Sequence, residues 1–341
     1  MAVGGCAERE GEFPCIKGEI QLWDTVSEQM VGEPLIGHAG SVESVVFSPD
    51  GQILASGSED STIILWDIAS HQQIGEPLTG HTSNVDTLDF SPDGTLLASV
   101  SWDNDQRFFL WDISTSPPKR RVLGTGGDAT SFMDLVFSPD GKFLATTGRC
   151  DTSDTEGSCL GGIQLWDVAD GEPISQPMRS NTSSAIITMV ISPDGQVLVS
   201  GGRDGIIFWD VATRKPFMQP PSHLMNPQQV ESLAFSYNGT IIASVNQDQT
   251  LTLWDAMTGQ RIGNPLTPPL GDFLFSENNR IAFSPDDKWI ATGGNYGVAL
   301  TDVRLETWQD EACHIANRNL TLEEWLTYLG DLLYQETCPG S

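Results

Sequence analysis

The chain has 341 residues, 39% hydrophobic and 18% charged, with 46 acidic against 17 basic residues and a net charge of −29. That composition is globular and long enough for a self-supporting core; it excludes a disordered chain, and no apolar run approaches the ~20 residues of a spanning helix. The acidic excess speaks against nucleic acid and against an anionic membrane surface, both of which need clustered Lys and Arg, and favours a protein or peptide partner that is basic.

The first elements are "MAVGGC" (1–6), a loop to Cys15, "EIQLWD" (19–24) and "QMVGEPL" (29–35). The next unit is fuller. "SVESVVF" (41–47) reads as a strand ending at Ser48-Pro-Asp-Gly, a turn in which Pro presets one dihedral and Gly takes a positive φ. "QILASGS" (52–58) and "TIILWD" (62–67) are apolar strands, and "QQIGEPL" (72–78) carries a proline that fits only an outer edge strand. The markers then recur. Trp-Asp stands at Trp23, Trp66, Trp111, Trp166, Trp209 and Trp254, at intervals of 43, 45, 55, 43 and 45 residues. Ser-Pro-Asp-Gly starts at Ser48, Ser91, Ser138 and Ser192, and in altered form at Ser236 and Ser284. With Gly-Glu-Pro-Leu at Gly32 and Gly75, Gly-Glu-Pro-Ile at Gly171 and Gly-Asn-Pro-Leu at Gly263, three markers in fixed order at one period predict repeated four-stranded antiparallel sheets that bury their faces by stacking around an axis.

These residues, over roughly 2–302, resemble the WD-repeat (WD40) family. The resemblance implies an all-β, seven-bladed β-propeller over residues 1–302, followed by a helical tail over 303–341. It also implies structural tetrads of His, Ser, Asp and Trp: His38, Ser56, Asp60 and Trp66 in the second unit, and His81, Ser99, Asp105 and Trp111 in the third. Other units depart from the pattern. The fourth and fifth lack the Gly-His pair. The sixth keeps Ser244, Asp248 and Trp254 with a displaced His223, and the seventh has Asn295 for Asp and Thr301-Asp302 for Trp-Asp.

The frame is expected to stay open. The first unit lacks an inner strand and the last an outer one, and the repeat register would place both in about 20 residues upstream of Met1, linking the propeller to an N-terminal domain. After Asp302, Leu305, Trp308, Ala312 and Ile315 recur at helical spacing, and Thr321-x-x-Glu324 reads as a capping box before a second helix. This tail resembles the ending of bacterial WD-repeat proteins of STAND-type NTPase or peptidase-like architecture. It implies a bacterial signalling protein in which the propeller is sensor or scaffold.

The chain shows no phosphate loop, nucleophile elbow or His-Glu-x-x-His, so no enzyme, cofactor or resident metal is read from it. Recognition by surface loops remains, with a small-ligand or carbohydrate site as the alternative. In the family one face gathers the loops between strands two and three and between strand four and the next strand one. Candidate partner-binding residues there are Phe13, Trp102, Arg203, His223, Phe273 and Tyr296, aromatic and Arg side chains being usual interface anchors. Six cysteines form three local pairs, Cys6/Cys15, Cys150/Cys159 and Cys313/Cys338. A hairpin would bring the first two pairs within disulfide range. Disulfides, packed thiols and metal binding all stay open. Location follows the same fork: cytoplasmic, or beyond a membrane tether if the bridges form.

Overall fold

The computed structural model describes residues 1–9, 15–25, 27, 29–101, 108–123, 129–150, 162–179, 185–203, 205–218, 229–266, 280–294 and 297–304. Seven antiparallel sheets follow one another along the chain, and the fold class is the all-β, seven-bladed β-propeller. The chain divides into two compact units, Met1–Ile191 and Ser192–Ser341. Among the described residues no helix is long and apolar enough to cross a membrane.

In the first unit, blade 1 pairs Ala2–Arg9 with Cys15–Asp24, which in turn pairs with the outer pieces Gln29–Met30 and Leu35–Ile36. Blade 2 runs from its inner strand Val42–Phe47 through Ile53–Ser58 and Thr62–Asp67 to Gln72–Gln73 and Leu78–Thr79. Blade 3 is Val85–Phe90, Leu96–Ser101, Phe108–Asp112 and Lys119–Leu123. Blade 4 is Ala129–Phe137, Phe143–Cys150, Gly162–Asp167 and Met178–Arg179. Blade 5 is divided by the boundary: Ile186–Ile191 falls in the first unit, and Val197–Gly202, Gly205–Asp210 and Lys215–Met218 in the second. The second unit continues with Val230–Phe235, Ile241–Asn246, Leu251–Asp255 and Arg261–Leu266, then the three strands Arg280–Phe283, Trp289–Gly294 and Gly297–Asp302.

Burial on both faces explains why the third strands read as unbroken apolar runs instead of alternating. In Thr62–Asp67, Ile63 and Leu65 pack with Leu88, Phe109 and Trp111 of blade 3. Ile64 and Trp66 turn the other way, to Ile20, Leu22 and Leu35 of blade 1. Each such Leu or Ile, wholly withdrawn from water, contributes roughly 1.5–3 kcal/mol. The same stacking joins blades 3 and 4 through Phe108, Leu110, Leu144 and Trp166, and blades 6 and 7 through Leu253, Ile281 and Ile290.

The outer strands differ from the sequence expectation. "QQIGEPL" is not one strand but two short pieces on either side of Gly75–Pro77. Gly75 turns the chain at φ +68, and Pro77 has no N–H to give to the ladder. Blade 1 breaks in the same way around Pro34. The tail, from 305 onward, lies outside the described residues.

Candidate functional site

One end of the blades is built from six near-identical turns. In the first, Gly51 N–H donates to Ser48 O at 2.8 Å, the Ser48 hydroxyl donates to Asp50 Oδ1 at 2.6 Å, and the same oxygen accepts Gln52 N–H at 3.0 Å. Ile53 N–H then donates back to Ser48 Oγ at 2.9 Å. Gly51 supplies the required φ of +70. The clamp recurs at Ser91/Asp93, Ser138/Asp140, Ser192/Asp194, Ser236/Asn238 and Ser284/Asp286. Hydrogen bonds from the serine hydroxyl hold Asp50, Asp93, Asp194 and Asp286 below the usual carboxylate range. Lys142, followed by Ser138, holds Asp140 at about 2.

The opposite end carries the turns between second and third strands, and blade 2 shows how it is braced. His38 Nδ1 lies 2.9 Å from Asp60 Oδ2, His38 Nε2 lies 2.8 Å from Ser56 Oγ, and Trp66 Nε1–H donates to that hydroxyl at 2.8 Å. A carboxylate only accepts, so Nδ1 carries a proton and donates to Asp60, while Nε2 and the Trp66 N–H share the Ser56 hydroxyl. Asp60 also accepts Ala39 N–H at 2.8 Å, Thr62 N–H at 2.9 Å and the Thr62 hydroxyl at 2.6 Å. Burial works against its charge, yet the bonds from His38 and Thr62 prevail and hold its carboxyl far below the usual range. The chain thus locks the inner loop at 37–41 to the turn at 59–61. Glu59 adds to the lock: its N–H donates to Ser41 O at 2.9 Å and its carboxylate accepts Ser41 N–H at 3.2 Å.

The other blades keep parts of this chain. In blade 3, His81 Nε2 meets Ser99 Oγ at 2.7 Å and Trp111 donates to it at 2.9 Å. Trp166 donates to Thr146, Trp209 to Ser200 and Trp254 to Ser244, at 2.9, 2.8 and 2.9 Å. Blade 7 has no tryptophan to give: Thr301 stands there, and the buried hydroxyls of Thr292 and Thr301 have no partner among the described residues.

Most of the loop candidates fall outside the described residues: Phe13, Trp102, Asp105, His223, Phe273 and Tyr296, with Cys159, Cys313 and Cys338. Arg203 is described. It is exposed, and its Nε–H donates to Gln229 Oε1 at 3.2 Å, tying a turn of blade 5 to the start of blade 6. Cys6 and Cys15 form a disulfide with Cα atoms 5.9 Å apart. They are not directly opposite: Cys6 pairs with Gly18 and Cys15 with Arg9, offset by two register shifts in the hairpin. Cys150 pairs with Ala129 in the backbone ladder.

Two features escaped the sequence reading. Arg120, on the outer strand of blade 3, donates to Thr79 O of blade 2 at 2.9 Å and lies 4.7 Å over the Phe109 ring. Gly80 makes room for it, since a Cβ there would fall 1.4 Å from its guanidinium, and φ at Gly80 is +145. Its neighbour Arg121 donates to Val168 O and Ala169 O of blade 4. Lys119-Arg120-Arg121 is a basic triplet in an acidic chain, which was the available signal. The second is a pair of acids on inner strands. Asp89 accepts Phe137 N–H at 2.7 Å and Asp134 accepts Met189 N–H at 2.8 Å, each reaching into the next blade. Asp89 keeps some exposed surface, yet burial pushes its carboxyl up to about 7, with the Asp134 charge adding to the effect against the bond from Phe137. Among the described residues no group of His, Cys, Asp and Glu could hold a metal ion.

Comparison with known proteins follows this geometry. The family model described as "WD domain, G-beta repeat" matches residues 29–67, 72–112, 173–210, 217–255 and 279–299, together just over half of the chain. Autophagy-related protein 16 of Arabidopsis thaliana is 26% identical over 195 residues, covering 57% of this chain and 34% of the relative. Nuclear distribution protein PAC1 of Arthroderma otae is 29% identical over 258 residues, covering 69% and 44%. WD repeat-containing protein 70 of Xenopus laevis is 29% identical over 152 residues, covering 42% and 24%. The chain spans less than half the length of each of these relatives. A solved structure titled "Crystal Structure of Mitotic Checkpoint Complex" superposes with a TM-score of 0.67 at 21% identity, covering 84% of this chain and 82% of that one. That likeness concerns the fold.

Proposed function

The chain belongs to the WD40 repeat family, and on that premise we propose that it is a non-catalytic interaction scaffold whose protein partner docks on the loop-bearing end of the propeller. One observation carries this reading. Variation in length is greatest in the connections between second and third strands. The Ser-Pro-Asp-Gly end repeats one clamp six times, at a fixed length. The other end changes from blade to blade, from the tight turns at 59–61 and 247–249 to the segments at 102–107 and 151–161. A rigid frame with one variable rim is how a repeat fold presents a recognition surface. The net charge of −29 favours a partner with a basic face. The finer setting, a bacterial signalling protein, rests on the resemblance of residues 312–339 alone, while the relatives named above come from a plant, a frog and a fungus.

The test compares two variants as affinity bait against the wild-type chain. Glu59→Arg with Arg203→Glu alters the loop end; Lys142→Glu with Tyr237→Ser alters the turn end. A partner held by wild type and by the turn-end variant, but lost from the loop-end variant, supports the reading. Loss from the turn-end variant alone, or from both alike, overturns it.

A further inference from the structure

We propose that the outer edge of blade 3, along Lys119–Leu123, is a second docking site, which takes an extended acidic segment of a partner polypeptide as an added strand. This edge is separate from the loop-bearing end and does not rest on that reading.

The strand itself is the first observation. Lys119–Leu123 pairs with Phe108–Asp112 residue by residue, without a register shift. Outer strands of the other blades are interrupted. Those of blades 1 and 2 break around Pro34 and Pro77, that of blade 4 is only Met178–Arg179, and those of blades 5 and 6 contain Pro216 and Pro265. Proline has no N–H to give to an added strand, and among the described outer strands only that of blade 3 escapes it over such a length. In the repeat, the residue before the Trp accepts an N–H from the outer strand: Leu22 from Val31 at 2.8 Å, Leu65 from Ile74 at 2.7 Å and Leu165 from Ile174 at 2.9 Å. In blade 3 that pair is Leu110 with Arg121. Bonded and non-bonded pairs alternate, so Arg121 bonds inward, and the backbone groups of Arg120 and Val122 point to the open side. Val122 is 38% exposed, and Lys119 and Arg120 are exposed with it.

Charge along the strand is the second observation. Lys119, Arg120 and Arg121 are successive cations in a chain of 17 basic and 46 acidic residues. Both guanidinium groups bond to neutral carbonyl oxygens, Arg120 to Thr79 O and Arg121 to Val168 O and Ala169 O. Among the described residues none of the three cations has a carboxylate partner. Side chains alternate between the faces of a sheet. Arg120 lies over Phe109 on the blade 2 side, with Val122 on the same face. Arg121 reaches blade 4, with Lys119 and the buried Leu123 on that face. The guanidinium groups are thereby drawn off the edge and flank it on both sides. Charged side chains ordinarily guard an edge against pairing. These repel a basic segment and attract an acidic one.

These two features define the occupant. Antiparallel pairing, the more stable kind, sets an apolar β-branched residue opposite Val122 and acids opposite Arg121, Arg120 and Lys119 in succession. Pairs of opposite charge then form on both faces of the sheet, while the backbone of the segment bonds to Arg120 and Val122 in the manner of β-augmentation. The net charge of −29 repels such a segment elsewhere on the chain, which favours this edge over other surfaces.

The probe is a labelled synthetic peptide, Ser-Thr-Val-Glu-Glu-Glu-Thr-Ser, added to the full chain and followed by fluorescence anisotropy and amide hydrogen exchange. In the free chain the amides of Arg120 and Val122 should exchange fast and that of Arg121 slowly. Saturation with the peptide should slow the first two about tenfold or more. Replacing its three Glu by Lys should abolish binding. N-methylation at alternate peptide residues should abolish it in one register and spare it in the other. Val122→Pro removes an N–H that faces away from the ladder, so it should weaken binding about tenfold or more and leave the thermal melt nearly unchanged. Lys119→Glu, at an exposed side chain, should weaken binding about threefold or more. Slow exchange of Arg120 and Val122 in the free chain would show the edge already covered, by this chain or by a second copy, and overturns the proposal. So does no binding at all, equal binding of the Lys peptide, tolerance of N-methylation in both registers, or binding that ignores Val122→Pro and Lys119→Glu.

Discussion

Ser56, Ser200 and Thr292 occupy one repeat position in blades 2, 5 and 7, and removing their hydroxyls should cost very different amounts. Ser56 is wholly buried and serves two buried groups, Trp66 Nε1–H and His38 Nε2. A buried polar group stripped of its partner costs about 1–3 kcal/mol, so Ser56→Ala, which strips two, should destabilise by roughly 2–5 kcal/mol. Ser200 serves Trp209. Ser200→Ala should therefore cost about 1–3 kcal/mol. Thr292 has no partner for its hydroxyl among the described residues, and Thr292→Val keeps the shape while removing an orphan, so it should be neutral within about 0.5 kcal/mol or stabilising. The assay is urea unfolding followed by tryptophan fluorescence, with the slope m checked for constancy across the set. Equal losses for Ser56→Ala and Ser200→Ala would refute the reasoning, as would a cost above about 1 kcal/mol for Thr292→Val.

The remaining predictions concern the arginine clamp, acid stability and the staple. Gly80→Ala should destabilise by about 2 kcal/mol or more, because it meets Arg120 at 1.4 Å and a backbone of φ +145; the double variant with Arg120→Ala should recover the clash but not the dihedral, as read by thermal melting. The clamp carboxylates have depressed folded pKa values, so their stability is present above the unfolded value of about 4 and is lost as pH falls through the folded values, down to about 2 for Asp140. Asp140→Asn should flatten the acid limb of a stability profile, and an unchanged limb would count against the clamp. Asp89 runs the other way: raised to about 7, it favours the fold at low pH and costs progressively more as pH rises from about 4 to about 7, so Asp89→Asn should remove a decline over that window in denaturant midpoints. Reducing Cys6–Cys15, which closes a loop with a sequence separation of 9, should cost about 2–3 kcal/mol, visible as faster amide exchange in Ala2–Arg9 and no change elsewhere.

The blades were legible because their markers are chemical necessities. Trp-Asp names the third strand, since Trp must reach a hydroxyl on the second and Asp must turn the chain; Ser-Pro-Asp-Gly names the hairpin before it. Proline in the outer strands announced an edge, though not the break around Gly75–Pro77, which depends on a φ that sequence alone does not state. The position of Cys6, three residues from the Arg9 that pairs with Cys15, was likewise hidden, because the register shifts between Cys6 and Arg9 carry no residue signature. Arg120 was missed for a different reason. Its worth lies in Phe109 and Trp111, which are near in sequence, and in Thr79, which is not. Asp89 and Asp134 were passed over because acids in turns are so common in this chain that two acids on strands did not stand out.

The Ser-Pro-Asp-Gly clamp also bears on how the chain finds its shape. Its bonds span two to five residues, the blade 2 chain of His38, Ser56, Asp60 and Trp66 spans ten to twenty-two, and the reach of Asp89 or Arg121 into the next blade spans forty-seven or forty-eight. Loop closure grows costlier with each step. The clamps can therefore form while the rest of the chain is still loose, and each gives a pre-set hairpin to which third strand, outer strand and neighbour add in turn. A propeller assembled in that order meets its long-range pairings late, with register already fixed by six local knots.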